Sequence, residues 1–270
     1  MFKSSRNSLH CCLKQIRSIH TLPKLPNHEI WSKEGIKGLL SPEGYNLAWT
    51  DYQTYLLTKL TLLTNGTANE TKTPYEILLN TAKQTTQQHT FHYASMSHMN
   101  HFFFQQLIDK PTEDSTTKTK PSRFLMEKLM NIDILDLNQL RNKILTMAEN
   151  SNGQGWIYLI EDKNKNLSFL QSFNDGIPFY FGKRQQFDLN GGIDELTFNG
   201  LNKLEKRAQK KAGQQLKDND DDEKYLPILA INYWDYMYIK DYGITGKSEY
   251  LNNLWDNLNW DVINKRLFQI

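Results

Sequence analysis

This sequence contains few cysteines, and it has no histidine in its C-terminal part. Its two cysteines, Cys11 and Cys12, are adjacent near the N-terminus, and all seven histidines lie at or before His101. No run approaches the roughly 18 consecutive apolar residues that a membrane-spanning helix needs. The sequence therefore predicts a protein that is soluble or peripherally attached, with no disulfide, thiolate chemistry or cysteine-ligated metal in its main body.

The N-terminal segment lacks acidic residues altogether, since the first is Glu29, and it is rich in serine and basic residues. Apolar residues at positions 9, 13 and 16 recur at helical spacing. This composition predicts a mitochondrial presequence over residues 1–21, with a disordered basic tail as the alternative. Its removal takes away four of the 32 basic residues and none of the 30 acidic ones, so bulk charge gives no argument for a nucleic-acid partner.

Two long helices are predicted in the first half of the chain. One covers residues 41–64, beginning with a serine cap and a proline in the first turn, and the other covers residues 93–108. Residues 65–73 read as an exposed turn between them. The polar stretch with two prolines that follows predicts a linker over residues 111–122, so residues 22–110 form an N-terminal helical hairpin domain.

The second half mixes helices and strands. Helices are predicted over residues 122–131 and 136–150, followed by two paired strands with the sequences GQGWIYLIED and NLSFLQSF. A third strand over residues 226–232 and two short helices, SEYLNNLWDNL and WDVINKRLF, complete the chain. The fold class is therefore α+β (α/β), with a C-terminal domain over residues 123–270 in which helices flank a small three-stranded antiparallel sheet.

Several local strings resemble the iron/manganese superoxide dismutase family across nearly the whole chain after the presequence. They are GQGW, NDGIP, NYWDYMYIKDYG with NNLWDNLNWDVINKRL, and SMSHMNHFFFQQL. The resemblance implies the dismutase-like fold of that family. It also places the family's four metal ligands on Ala48, His101, Asn232 and Tyr236.

Only His101 among these four positions retains a ligand side chain. A redox-active metal needs several strong donors, usually imidazoles and a carboxylate, whereas alanine donates nothing and asparagine is a weak neutral donor. The C-terminal domain has no histidine at all. We therefore predict no metal, no other cofactor, no small-molecule substrate and no enzymatic activity, so that the chain is a degenerate dismutase-like pseudoenzyme.

The resemblance also assigns the residues that surround the family's metal. The tyrosine of the substrate funnel falls on Leu56 and the neighbouring histidine on Tyr52, while the glutamine that orients the metal-bound solvent falls on Asp175. Trp234, which packs beside the metal in the family, is retained. The glutamate and histidine that bridge the family's dimer fall on Asp235 and Tyr236, which are predicted to lie at an interface with a different subunit.

Four histidines fall within 13 residues at the start of the second long helix and just before it, namely His89, His92, His98 and His101. The spacing of His98 and His101 puts them on one helix face, so a relocated zinc or iron site is one interpretation. In the other interpretation His101 is buried and hydrogen-bonded to Tyr236 or Asn232, and the remaining three are partly exposed.

An insertion at about residues 182–225 is longer than a strand connection needs. It contains LNKLEKRAQKKAGQQLK, whose basic residues predict a cationic helix face for RNA phosphates: Lys203, Lys206, Arg207, Lys210 and Lys211. The alternative is a solvated helix whose charge is balanced by the DNDDDE run that follows.

A further group of strings, TLPKLPNH, DYQTYLLTKLTL, FDLN and DNLNWDVINKR, resembles the superoxide dismutase-like proteins of the fungal mitochondrial small ribosomal subunit. That resemblance implies a structural ribosomal protein of the mitochondrial matrix that supports mitochondrial translation. Its partners would be other small-subunit proteins, among them a second dismutase-like subunit in a heterodimer, and the small-subunit rRNA, with no membrane contact. A mitochondrial dismutase-type metalloenzyme and a free-standing pseudoenzyme that binds another protein are the alternatives.

Overall fold

The structure is a computed structural model that describes residues 19–82, 84–111, 119–179 and 225–267. Most of the predicted presequence, most of the linker and nearly all of the insertion therefore lie outside the described residues. So do the five residues of the predicted cationic face, which are Lys203, Lys206, Arg207, Lys210 and Lys211.

The first half of the chain is helical. Its elements are α1 (His28–Glu34), α2 (Pro42–Tyr45), a π-helical turn (Asn46–Asp51), α3 (Tyr52–Thr64), α4 (Pro74–Thr81), a short 3-10 turn (Thr85–Gln87) and α5 (Gln88–Gln105). The region predicted as one helix over residues 41–64 is thus α2, the π-helical turn and α3 in succession. Ser41 caps its start by accepting a hydrogen bond from the Gly44 amide at 3.0 Å.

Two helices of this half, α1 and α4, were not predicted. The sequence nevertheless signals the start of α4, because Thr73 and Glu76 form a capping box ahead of its apolar residues. Thr73 accepts from the Glu76 amide at 3.3 Å, and the Glu76 carboxylate accepts from the Thr73 amide at 2.8 Å. Together α3, α4 and α5 pack side by side and bury Leu60 and Phe103 completely.

The second half surrounds a three-stranded sheet. Its elements are α6 (Arg123–Met130), α7 (Leu137–Glu149), β1 (Gly155–Glu161), β2 (Leu167–Phe173), β3 (Leu226–Asn232), α8 (Asp235–Tyr242), α9 (Lys247–Asp256) and α10 (Trp260–Arg266). The strand order is β2-β1-β3 and both pairings are antiparallel, which confirms the predicted α+β class. Helix α8 was missed in the aromatic stretch. In the part of the chain that the structure describes, no helix combines the length and apolar character required to cross a membrane.

The two halves share one core, and the last helices connect them. The Asn257 side chain donates to the carbonyls of Lys37 and Ile108 at 2.8 Å each. Arg266 is buried and donates from one nitrogen to the Phe102 carbonyl at 2.7 Å. The other terminal nitrogen of Arg266 donates to the Gln106 side chain at 2.9 Å and to the Ile228 carbonyl at 3.1 Å.

The described chain begins just before the predicted processing boundary. His20 is buried, with its two ring nitrogens 3.1 Å from the Thr61 hydroxyl and 3.0 Å from the Lys72 carbonyl. A cut after Thr21 would remove these contacts. The boundary at residue 21 stays a prediction, and the packing of His20 favours a cut on its N-terminal side.

Candidate functional site

Three of the four positions that correspond to the family's metal ligands meet where α5, the π-helical turn and the β3–α8 junction pack together. Asn232, the last residue of β3, donates from its amide nitrogen to the Tyr236 hydroxyl at 2.9 Å. Tyr236 in turn donates to the Asn100 side-chain oxygen at 3.1 Å. The Asn100 amide nitrogen then donates to the Ala48 carbonyl at 3.3 Å and to the Gln53 side chain at 3.0 Å. The structure therefore brings Ala48, Asn232 and Tyr236 together through Asn100.

His101 does not join this centre, so the expectation that it bonds to Tyr236 or Asn232 is wrong. Its Nε2 lies 3.2 Å from the amide nitrogen of Gln105, and its ring centroid is 5.7 Å from that of Trp49. Successive residues of a helix point about 100° apart around its axis. Only one of the two adjacent residues Asn100 and His101 can therefore point into the centre. That residue is Asn100, which is fully buried.

Asn100 and Gln53 are the two members of the centre that the sequence reasoning missed. Both are buried amides, and the side-chain nitrogen and oxygen of each have hydrogen-bond partners. The Gln53 nitrogen donates to the Ser97 carbonyl at 2.8 Å. A buried amide needs such partners to offset the loss of water. These two residues could have been recognised in the sequence as amides at positions of α3 and α5 whose neighbours on the same helix face are apolar.

The donor set at the centre does not fit a redox-active metal. Its polar groups are two asparagine amides, a glutamine amide, a phenol and a backbone carbonyl, which are bonded to one another. Burial raises the pKa of Tyr236 well above its ordinary value, so the phenol remains a neutral hydrogen-bond donor. Asn232 is held in place from its other side as well, because its oxygen accepts from the Trp234 amide at 2.9 Å. None of these groups supplies the imidazole and carboxylate ligands that an iron or manganese centre requires.

Aromatic rings fill the approach to the centre. Tyr52 lies against Tyr236 with ring centroids 4.2 Å apart, and burial raises the pKa of Tyr52 above its ordinary value. Trp234 packs on the same tyrosine at 5.9 Å, and Leu56 is buried one turn further along α3. Packed side chains therefore occupy the region in which the family resemblance implies a funnel for the substrate.

Asp175 points to α5 rather than to the centre. Its carboxylate lies 3.0 Å from Nδ1 of His92, and its carbonyl accepts from the Ser95 hydroxyl at 2.6 Å. The residue at the position of the solvent-orienting glutamine therefore ties the loop after β2 to α5.

The histidines of α5 lie in separate surroundings. His92 pairs with Asp175, His89 is exposed, and the His98 ring packs between Tyr75 and Phe179 with centroids at 5.0 and 5.7 Å. Among the described residues, no three histidine, cysteine, aspartate or glutamate side chains converge to hold a metal ion. The relocated-metal interpretation thus has no geometric support in these residues.

The start of α8 combines internal bonds with a partly exposed face. The Asp235 carboxylate accepts from the Gln154 side chain and from the Tyr238 hydroxyl, the latter at 2.6 Å. Its neighbour Tyr236 is partly exposed. Two apolar residues, Leu47 on the π-helical turn and Ile239 on α8, are 43% and 44% exposed on these contacting elements.

Comparison with known proteins agrees with this picture of a dismutase-like scaffold. Residues 190–266 match the family described as iron/manganese superoxide dismutases, C-terminal domain. The chain is 20% identical to the iron superoxide dismutase of Bacteroides fragilis, over 92% of this chain and 99% of the relative. The predicted fold class, with its dismutase-like architecture, is thereby confirmed.

Two proteins of Schizosaccharomyces pombe are also similar to the chain. Small ribosomal subunit protein mS43 is 29% identical over 92% of this chain and 84% of its own length. Small ribosomal subunit protein mS42 is 24% identical over 72% of this chain and 74% of its own length.

Proposed function

We propose that this protein is a structural component of the mitochondrial small ribosomal subunit, in which a superoxide dismutase fold serves as scaffold for mitochondrial translation. Its similarity to two small-subunit ribosomal proteins over most of its length supports this role. The observation that carries the proposal is the chain from Asn232 through Tyr236 to Asn100, which occupies the centre of the fold with neutral, mutually bonded side chains.

The absence of dismutase chemistry is part of the proposal. An enzyme of this fold must hold a metal and admit a small anion to it. Here the inward-pointing residue of α5 is Asn100, and the rings of Tyr52 and Tyr236 occupy the approach. The alternative of a dismutase-type metalloenzyme would require both features to rearrange.

The proposed partners are other proteins of the mitochondrial small subunit, including a second dismutase-like protein that forms a heterodimer with this one. Support for a pair comes from the two relatives, which are both small-subunit proteins of one organism. The surface around Asp235 and Tyr236, flanked by exposed Leu47 and Ile239, is the proposed interface. Because Gln154 and Tyr238 already hold the Asp235 carboxylate, this residue is poorly placed to form the reciprocal ion pair of a symmetric dimer.

The second proposed partner is the small-subunit rRNA, contacted by the basic residues of the insertion. Lysine and arginine that neutralise phosphates release counterions, which makes such contacts strong at low salt. The relevant residues are Lys203, Lys206, Arg207, Lys210 and Lys211.

Sedimentation of an epitope-tagged copy from mitochondrial extract through a sucrose gradient tests the proposed function. We expect co-migration with the small-subunit rRNA, and dissociation of the subunit by removal of magnesium should shift both together. A light, RNA-free peak at low salt would contradict the ribosomal role and would favour the free-standing pseudoenzyme.

A further inference from the structure

A cavity of about 400 Å³ lies in the N-terminal half and adjoins the centre described above at Gln53. Its walls come from the segment around His20, from α3, from the start of α4 and from α5. Among the described residues that line it there is no aspartate or glutamate. Glu76 does not line the cavity, and its carboxylate accepts hydrogen bonds from the amide and hydroxyl of Thr73, which does line it.

Several polar groups of the wall already have partners, and a few do not. Gln53 and Thr73 are engaged by Ser97 and Glu76, respectively. By contrast, within the described part of the chain neither nitrogen of His98 has a hydrogen-bond partner, and neither has the hydroxyl of Tyr75. The ammonium group of Lys72 donates to the Asn69 side chain at 3.1 Å, which leaves further protons available.

Two histidines of the wall, His98 and His101, are neutral groups at neutral pH. Burial lowers the pKa of His98 to about 3, and the charges of His101 and Arg266 act in the same direction. Burial and the Arg266 charge also lower the pKa of His101. Each imidazole therefore offers one hydrogen-bond donor and one acceptor at neutral pH. These edges suit a ligand with its own hydrogen-bonding groups, and Lys72 adds one positive charge for an anionic part of such a ligand.

Tyr75 provides a flat aromatic surface at this cavity. It is 37% exposed, and its ring is supported by His98 at 5.0 Å and by Phe179 at 5.2 Å. The capping box fixes the first turn of α4, on which Tyr75 lies. A supported, half-exposed ring beside neutral donors and acceptors is suited to a planar heteroaromatic ligand.

We infer that this cavity binds a nucleotide, with the base against Tyr75, the base edge facing His98 and His101, and a phosphate beside Lys72. Aromatic stacking and hydrogen bonding to exposed base edges are the means by which proteins hold unpaired RNA bases. The ligand is either a nucleotide extruded from RNA or a free mononucleotide. Only the choice of RNA as the natural source rests on the proposed ribosomal function.

Binding of the purified protein to the four nucleoside monophosphates and to fluorescein-labelled single-stranded RNA tests the inference. We expect Tyr75→Ala to weaken binding by about 5- to 100-fold, as loss of one base stack does elsewhere. Tyr75→Phe retains the ring and should stay close to the parent. The matched control is Tyr55→Ala, which removes a tyrosine that is 48% exposed on α3 and does not line the cavity.

The two ligand sources give different results. Saturable binding of a monophosphate that Tyr75→Ala weakens by this factor assigns the cavity to nucleotides in general. Binding of RNA alone with the same loss, together with an ultraviolet cross-link from particle RNA to the Tyr75 peptide, assigns it to rRNA. A parent protein that binds neither ligand, or a Tyr75→Ala variant that binds as the parent does, overturns the inference. Because sedimentation of the parent is a separate measurement, the ribosomal role can stand in either case.

Discussion

Tyr52 packs at a tilt against Tyr236 with the two ring centroids 4.2 Å apart, and the Tyr236 hydroxyl at the same time donates to Asn100. Tyr236 thus blocks the approach to the centre and also links Asn232 to Asn100 through hydrogen bonds. Such aromatic pairs contribute about 0.5–1.5 kcal/mol beyond the burial of their area. The interior that would have held a reactive metal is occupied by groups whose interactions stabilise the fold.

The first prediction concerns metal. We expect the protein refolded with manganese or iron to show no more dismutase activity than a protein-free control, because the centre lacks suitable donors. The triple variant Ala48→His, Asn232→Asp and Tyr236→His should bind metal weakly, since His101 points away from the centre. Addition of Asn100→His should increase the metal content measured by mass spectrometry. Equal metal content in the triple and quadruple variants would contradict the assigned role of position 100.

The second prediction concerns the buried guanidinium of Arg266. Replacement by methionine leaves the carbonyls of Phe102 and Ile228 without their donor, so we expect a loss of about 3 kcal/mol in the free energy of unfolding. The matched control is Arg123→Met, because the Arg123 side chain is 94% exposed. It should change stability by less than about 0.5 kcal/mol in the same urea titration. Equal effects of the two replacements would show that the Arg266 contacts do not stabilise the fold.

The third prediction concerns acid. The pKa of His98 in the fold, about 3, lies below the ordinary value of 6.5, so the unfolded chain binds more protons between these limits. Stability should therefore fall as pH decreases below 6.5, with His98 contributing up to about 1.4 kcal/mol per pH unit. His98→Gln should flatten the pH dependence of the thermal midpoint, measured between pH 7 and pH 4. His89→Gln, at an exposed position, should retain the slope of the parent, and a parent-like slope in His98→Gln would contradict the prediction.

The fourth prediction concerns the interface at α8. Cross-linking from a photoreactive residue placed at Ile239, which is 44% exposed, should capture a different small-subunit protein in intact particles. A reagent at Ile30, 53% exposed on α1, provides the comparison at a second apolar surface position. Products formed only between copies of this chain would refute the heterodimer.

The fifth prediction concerns the insertion. Exchange of Lys206, Arg207, Lys210 and Lys211 for glutamine removes the charge while keeping a residue of high helix propensity. If these residues contact phosphates, each contributes a slope of roughly 0.9 in the logarithm of affinity against the logarithm of salt. The variant should leave the particle at lower salt than the parent, with little change in its thermal midpoint. Identical release at every salt concentration would place the RNA contacts elsewhere.

Much of the fold could be predicted because its strongest signals are local. The three strands carry continuous or alternating apolar residues. Helices α6 and α7 are capped by Ser122 and Asp136, whose side chains accept from first-turn amides. The missed helix α8 begins after Trp234, which makes no side-chain cap, and its tyrosines belong to a residue type that is enriched in strands. Its helical state depends on packing against α2 and α9, which the local sequence does not report.

The centre was predictable in composition but not in geometry. The loss of ligands at Ala48, Asn232 and Tyr236 can be read from residue types alone. Which of Asn100 and His101 faces inward depends on the rotation of α5 against the π-helical turn. That rotation is set by tertiary contacts, such as the bond from Asn100 to the Ala48 carbonyl, between residues far apart in sequence.

Asn257 donates to Lys37 and Ile108, and the Asp241 carboxylate accepts from the Ser41 amide at 2.8 Å. These contacts join residues 149 to 220 positions apart. A chain that is synthesised or imported N-terminus first must therefore wait for its last helices before the first half is complete. Until then part of the apolar surface of the first half stays exposed, and exposed apolar surface of this kind promotes aggregation. Truncation near the C-terminus would accordingly act as an early folding block.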